Sequence, residues 1–258
     1  MNLPYFNNYN LPGMPKVRAL NALAMRCTKV DEGCERCWHL RMADRLSKVP
    51  AISLERREAY AGRRPAVCGG RAGEALATCC NRRNRMRPAV IAVQFMGDPW
   101  HEGVDAGYRK AIIFRAECLQ EYIFLFLTKR PQNVREVLPD NCWLGTSISG
   151  HESAVARLPI LSKIPCKNKW ISIEPILNRI DPYFLVDICD VAGWCKFLAC
   201  GPETGAKARH HNPAWISRIA EFCNIARIPF YDKRDPATPG FTRREWPREW
   251  IEKVGGGK

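Results

Sequence analysis

Short apolar runs recur along the chain from residue 89 onward and set the first expectation about its fold. They are rich in β-branched and aromatic residues and apolar nearly throughout, which is typical of strands buried on both faces of a parallel sheet. The predicted strands are Ala89–Phe95, Tyr122–Leu127, Cys142–Ile148, Trp170–Glu174, Lys196–Cys200 and Ile228–Tyr231.

Amphipathic stretches separate these runs and predict helices at Val104–Gln120, Pro131–Leu138, Ser153–Ile164 and Pro213–Ala226. A further unit before residue 50 joins the apolar run Ala19–Met25 to a helix from about Trp38 to Lys48. Strand and helix in alternation are typical of a βα barrel or an open parallel sheet. We expect an α/β fold that is a parallel βα barrel, partial, with six to seven strands.

The chain length sets the number of domains. At 258 residues the chain can bury one sizeable core, so we expect a single domain over 1–258 with a C-terminal tail from about residue 235. No apolar run reaches the roughly 18 residues that span a bilayer, and the proline-broken N-terminus does not read as a secretory signal. Thirteen cysteines, an odd number, fit a reducing cytoplasm better than a disulfide framework.

The net charge of +14 is unevenly distributed along the chain. Residues 51–87 carry nine arginines against three glutamates and interrupt the βα alternation as an insertion. Such a field attracts polyanions through phosphate contacts, so nucleic acid is an expected partner. The alternative is a solvated basic loop that keeps the protein soluble. Cys68, Cys79 and Cys80 in the same stretch leave open a second metal site.

Three cysteines follow the first predicted strand at the spacing C-x6-C-x2-C, as Cys27, Cys34 and Cys37. A structural zinc site needs four ligands, and His39 could complete a Cys3His set only at a strained spacing. Three thiolates suit a [4Fe-4S] cluster with one iron left open for a substrate or cofactor. In parallel α/β folds the ends of the strands, where this loop lies, are also where active sites assemble.

The stretch CTKVDEGCERCWHLRMADR (27–45) resembles the cluster motif of phage-associated three-cysteine proteins of the radical S-adenosylmethionine class. Further blocks are similar to that family in the same order: FMGDPWHEGV (95–104), FLTKRPQNV (126–134), WLGTSI (143–148), ISIEPIL (171–177), ACGPETGAKAR (199–209) and IPFYDKR (228–234). The resemblance covers residue 27 to about 234. It leaves out the 51–87 insertion and the tail.

The resemblance implies that Cys27, Cys34 and Cys37 hold a [4Fe-4S] cluster whose open iron binds S-adenosyl-L-methionine. Polar residues at the ends of predicted strands are then candidates for the remaining contacts. We expect cofactor binding by Glu174, Glu203, Gly201, Asp98 and Ser147, and substrate binding by Lys129 and Arg130. Two alternatives stay open: a buried ion pair of Glu174 with Lys129 or Arg130, and a helix-capping role for these two cations. Asp98 and His101 form a further candidate polar pair.

Within that family the resemblance implies a radical isomerase of thymidine hypermodification in phage DNA. It would convert 5-N-alpha-glycinylthymidine to its C-alpha-linked isomer in the host cytoplasm, with an electron donor as a second partner. One alternative is radical modification or repair of another nucleic acid. Another is a zinc-bearing nucleic-acid-binding module without catalysis. The oligomeric state is left open.

Overall fold

A parallel sheet of seven strands organises the molecule, and its strands neighbour one another in the order in which they follow along the chain. The computed structural model describes residues 17–68, 90–190, 193–205 and 207–255. The sheet is curled into a half-barrel, which confirms the predicted mixed α/β architecture with a partial barrel. Its strands are β1 (Val17–Leu20), β4 (Val90–Val93), β5 (Ile123–Thr128), β6 (Cys142–Ile148), β7 (Asn168–Ile173), β8 (Cys195–Cys200) and β9 (Phe230–Asp232).

The predicted first strand is divided in two. After β1 the chain forms β2 (Leu23–Ala24), which pairs antiparallel with β3 (Val67–Cys68) outside the main sheet. The side chain of Gln94 accepts from the Leu23 N–H at 2.9 Å and donates to the Leu23 carbonyl at 3.1 Å. The Gln94 side chain therefore makes the hydrogen bonds that a neighbouring strand would make with Leu23, where the chain turns away from β1.

The helices are α1 (Trp38–Leu46), α2 (Leu54–Ala61), α3 (Ala106–Glu117), α4 (His151–Lys163), α5 (Pro182–Leu185), α6 (Pro213–Ile225) and α7 (Arg248–Gly255). The helix predicted at Pro131–Leu138 is wrong, because only a 3-10 turn forms at Pro131–Asn133. Pro139 restricts Leu138 to extended backbone, and the buried Val134 and Leu138 join the core from an extended segment.

Both faces of the sheet are covered. One face packs against α3, α4 and α6 and carries two of the large apolar clusters. The opposite face is aromatic, with Trp143, Trp170 and Phe197, and the C-terminal segment seals it with the buried side chains of Trp246 and Trp250. The stretch predicted as a tail is thus part of the core. Within the described ranges, no helix is long and apolar enough to cross a membrane.

A buried ion pair fixes the start of this C-terminal segment. The Asp232 carboxylate, fully buried at the end of β9, accepts from the Arg234 guanidinium at 2.7 Å and from the Thr242 hydroxyl at 3.0 Å. Burial alone would raise the pKa of Asp232, but these hydrogen bonds hold it below its ordinary value. Asp232 therefore has a structural role here.

We expect Asp232→Ala to lower the free energy of unfolding by about 3–5 kcal/mol, because it leaves the buried Arg234 charge unpaired. The matched control is Asp140→Ala, which removes the exposed pair with Lys167 and should cost about 0–1 kcal/mol. Urea denaturation of the two variants measures both values. Equal losses would contradict the structural role given to Asp232.

Candidate functional site

The loop that carries the three cysteines runs from the end of β2 to the start of α1. A 3-10 turn at Glu32–Cys34 shapes its middle, and Cys37 occupies the position before the first residue of α1. All three thiols are free; Cys34 is buried, while Cys27 and Cys37 are half-buried. The loop thus presents three reduced sulfur atoms within eleven residues.

The donor chemistry of this loop suits iron or zinc, since thiolates are the ligands that iron–sulfur clusters require. Burial, with the nearby Asp98 charge, raises the pKa of the Cys27 thiol, so a thiolate there needs a cation beside it. Cys37 is close enough to Cys27 to add to this effect. Within the described ranges, however, no three His, Cys, Asp or Glu side chains converge as a metal-binding group.

His39, the candidate fourth ligand of a zinc site, is buried in α1. Neither of its ring nitrogens has a hydrogen-bond partner, and burial, aided by the charges of Arg26 and His101, lowers its pKa to about 4. Among the residues that the structure describes, His39 and the three cysteines do not converge as the metal-binding group that a Cys3His site needs.

The first anchor of the loop is Thr28, directly after Cys27. Arg130, after β5, donates to the Thr28 carbonyl at 3.2 Å and to its hydroxyl at 2.7 Å. Asp98 orients Arg130 at 3.3 Å and also accepts from the Thr128 hydroxyl at 2.7 Å and the Lys129 N–H at 2.9 Å. The ends of β4 and β5 are therefore joined to the residue beside Cys27.

His101 completes this anchor. Its Nδ1 faces the Gly103 N–H at 2.9 Å, and its Nε2 faces both the N–H of Thr28, at 3.1 Å, and the Thr28 hydroxyl, at 3.2 Å. Burial, together with the charge of Arg130, lowers the pKa of His101. A neutral ring is therefore favoured, and it contacts the same Thr28 hydroxyl as Arg130.

The second anchor is Asp31, in the middle of the loop. Its carboxylate lies 2.7 Å from Lys129 Nζ and 2.6 Å from Arg157 Nη1, and all three side chains are largely buried. Arg157, on α4, also donates to the Ser147 carbonyl at 2.7 Å. Burial alone would raise the pKa of Asp31, but the two cations hold it below its ordinary value. Lys129, whose substrate-binding role stays a prediction, contacts the loop here.

The third anchor joins Glu32, also in the middle of the loop, to residues that follow β7 and β8. Asn178, beyond β7, donates to the Glu32 carboxylate at 2.6 Å. Arg209, beyond β8, donates to the Glu32 carbonyl at 3.1 Å and binds Glu203 at 2.6 Å. Arg36 approaches Glu203 to 3.5 Å. The predicted cofactor residue Glu203 therefore orients the cation that holds the loop.

Glu174 and Lys233 form an ion pair at the ends of β7 and β9. The Ser172 hydroxyl donates to the Glu174 carboxylate at 3.3 Å, and the Ser147 hydroxyl donates to the Glu174 carbonyl at 3.1 Å. Burial lowers the pKa of Lys233, against the opposing effect of Glu174. The expected alternative, a pair of Glu174 with Lys129 or Arg130, is wrong: the partner is Lys233.

Gly201 lies beside this pair, since a Cβ on Gly201 would come within 2.8 Å of the Lys233 Cβ. The glycine thus gives Lys233 the room to reach Glu174. Three candidates that the sequence separates widely, Ser147, Glu174 and Gly201, are brought together here. Asp98 belongs to the first anchor and stays apart from them.

A cavity of ≈ 470 Å³ lies beside Cys27. Its lining includes Thr28 and His101 together with Gly62 and Arg64 from the arginine-rich segment. Its size is in the range of small-molecule sites. Cys68 pairs in β3 at the border of this region, whereas Cys79 and Cys80, named with it as a second metal site, lie outside the described residues.

Sequence reasoning missed the residues that secure the loop from outside. Asp31 can be noticed in the sequence as an acidic residue between two cysteines. Its partner Arg157 cannot, because it occupies an ordinary polar position of a predicted helix. Asn178 and Arg209 are 146 and 177 residues from Glu32, so no local pattern connects them to it.

The fold and site define a class: a half-barrel α/β protein with a three-cysteine loop across the carboxyl ends of its strands. Residues 19–239 match the family described as "Protein of unknown function (DUF5131)", and the chain belongs to this family. No curated protein and no solved structure matches the chain. The matched range contains the three cysteines and the three anchors, and ends before α7.

The anchor at Glu203 gives a pH prediction. Hydrogen bonds from Arg209 lower the pKa of Glu203, so the fold favours the carboxylate. We expect Glu203→Gln to cost about 1–3 kcal/mol of unfolding free energy near neutral pH. This difference from wild type should be complete above the unfolded pKa of about 4.3 and vanish as the pH falls through the lowered folded pKa.

Urea denaturation over the acidic range measures this difference. Glu252→Gln is the control, because it removes an exposed pair with Arg248 and should change stability by at most about 0.5 kcal/mol. A Glu203→Gln deficit that stays constant down to the acid limit would contradict the assignment.

Proposed function

We propose that this protein is a radical S-adenosylmethionine enzyme with a [4Fe-4S] cluster on Cys27, Cys34 and Cys37. The observation that carries the proposal is that three free thiols follow one another within eleven residues. They lie in one loop that is anchored across the carboxyl ends of a parallel half-barrel, the edge where such folds place their sites. The absence of a fourth cysteine in the loop suits a cluster that keeps one iron open.

The chemistry would come from the cofactor: S-adenosyl-L-methionine on the open iron supplies a carbon radical that abstracts a substrate hydrogen. The chain supplies positions and charges. The Glu174–Lys233 pair, with Ser147 and Gly201 beside it, offers a carboxylate and an ammonium group suited to the amino and carboxylate groups of the cofactor. Asp98 and Glu203 would act less directly, through Arg130 and Arg209, which hold the loop.

For the substrate we propose DNA carrying 5-N-alpha-glycinylthymidine, isomerised to its C-alpha-linked form in phage DNA hypermodification. Support comes from the arginine-rich segment, part of which forms a wall of the cavity beside Cys27. Arg130 and Lys129 are occupied by the loop, so the phosphate contacts are assigned to other cations. An electron donor is required as a partner, and a reducing cytoplasm, the host's if the chain is viral, suits the free thiols.

The cluster assignment is tested by anaerobic reconstitution with iron and sulfide. Wild type should turn brown, hold about four irons per chain, and cleave S-adenosyl-L-methionine under reduction to methionine and 5'-deoxyadenosine. Cys27→Ala should lose both properties. Cys118→Ala, which changes an exposed thiol after α3, is the matched control and should retain them. Stoichiometric zinc without cleavage would instead support the non-catalytic nucleic-acid-binding module.

The substrate assignment is tested with DNA that contains 5-N-alpha-glycinylthymidine. After incubation with reconstituted enzyme, S-adenosyl-L-methionine and a reductant, the DNA is digested to nucleosides. Because the two isomers have equal mass, chromatographic retention and fragmentation must distinguish them; we expect the C-alpha-linked isomer to appear. Cofactor cleavage without any change in this nucleoside would move the assignment to another nucleic acid.

A further inference from the structure

Asp31 is the one carboxylate of the cysteine loop that contacts two largely buried cations, as far as the structure describes the chain. Lys129 approaches from the end of β5 at 2.7 Å and Arg157 from α4 at 2.6 Å. The three side chains are 12%, 18% and 9% exposed in the order Asp31, Lys129, Arg157. A carboxylate shared in this way joins the middle of the loop to two elements of the barrel.

The backbone of the loop is fitted to this contact. A Cβ on Gly33 would lie 2.9 Å from Lys129 Nζ and 3.1 Å from the Ser149 Cβ. The bare backbone next to Cys34 therefore lies against the ammonium group that binds Asp31. The Cys34 N–H also donates to the Asp31 carbonyl at 3.0 Å, so a displacement of Asp31 is transmitted directly to Cys34.

The charges around Asp31 do not cancel. One carboxylate faces two cations, which leaves an excess of one positive charge beside Cys34. Removing the carboxylate would leave both cations uncompensated in a poorly solvated place, and a buried charge without a partner is strongly unfavourable. The loop would then move, the cations would turn away, or both.

We propose that Asp31 is a positioning residue of the three-cysteine loop: it sets the place of Cys34 and the local charge at the metal site through Lys129 and Arg157. This inference rests on the proposed function for the identity of the metal group. The contact itself belongs to the chain alone and can be measured without metal. Lys129 is accordingly a loop-holding residue.

The first experiment uses the metal-free full chain. In hydrogen exchange, Asp31→Asn should speed exchange of the Cys34 and Cys37 amides by at least about tenfold, because a buried ion pair that restrains local opening is lost. The amides of β6 serve as an internal reference and should be unchanged. Asp31→Glu, which keeps the charge, should recover part of the protection. Asp44→Asn is the matched control, since it removes the exposed pair with Arg26.

A second pair of variants covers a failure of Asp31→Asn to fold. Lys129→Gln and Arg157→Gln each remove one cation, and each should speed exchange of the same two amides. Because the three groups act as a unit, Asp31→Asn combined with Lys129→Gln should accelerate exchange by less than the product of the single effects. Exchange that matches wild type in all single variants would overturn the proposal.

The last readout uses the reconstituted protein. Loss of the Asp31 charge leaves the cations beside Cys34 uncompensated, so the reduction potential of the cluster in Asp31→Asn should shift in the positive direction; Asp31→Glu should stay near wild type. An unchanged potential would overturn the electrostatic part of the inference. A wild type that binds no iron would sink the proposed function, whereas the exchange measurements would still decide the role of Asp31.

Discussion

The arrangement of the site depends on one constraint: charged groups taken out of water beside a parallel sheet must find partners. In such a sheet all strands end at the same edge, and the cysteine loop lies across that edge. Its polar groups at Thr28 and Asp31 meet Arg130 and Lys129, which follow β5, and the Glu32 carboxylate meets Asn178, which follows β7. The loop is consequently held at three points along its length.

A half-barrel has an inner face that a closed barrel would fill with its own side chains. Here the inner face is filled from the C-terminal segment, whose Trp246 and Trp250 pack on Phe197 with ring centroids 5.9 and 5.0 Å away. Asp232 and Arg234 fix where that segment departs from β9. The same turn places Lys233 beside Glu174. The segment that covers the core therefore also positions a charged residue at the polar edge of the sheet.

Sequence patterns predicted the fold well because buried parallel strands are nearly continuous apolar runs; β6 was predicted at Cys142–Ile148 and lies there. They failed where the decisive contact is distant. The Pro131–Leu138 stretch has a helical pattern, yet extended backbone carries Val134 and Leu138 into the core. For Glu174 the sequence left open a buried ion pair with Lys129 or Arg130, but its partner is Lys233, 59 residues away. The positions after the strands thus identified polar residues at this edge of the sheet, but not which of them form pairs.

The pairing changes which cations are available to a polyanion. Arg130 and Lys129 are largely buried and already bind the loop, so recruiting them to phosphate would release a cysteine-bearing segment. Arg26 and Arg64 border the cavity beside Cys27, and their partners Asp44 and Glu55 are exposed. Exposed pairs contribute little to stability and exchange readily for a phosphate. The proposed contact of the arginine-rich segment with a polyanion beside Cys27 would therefore leave the anchors intact.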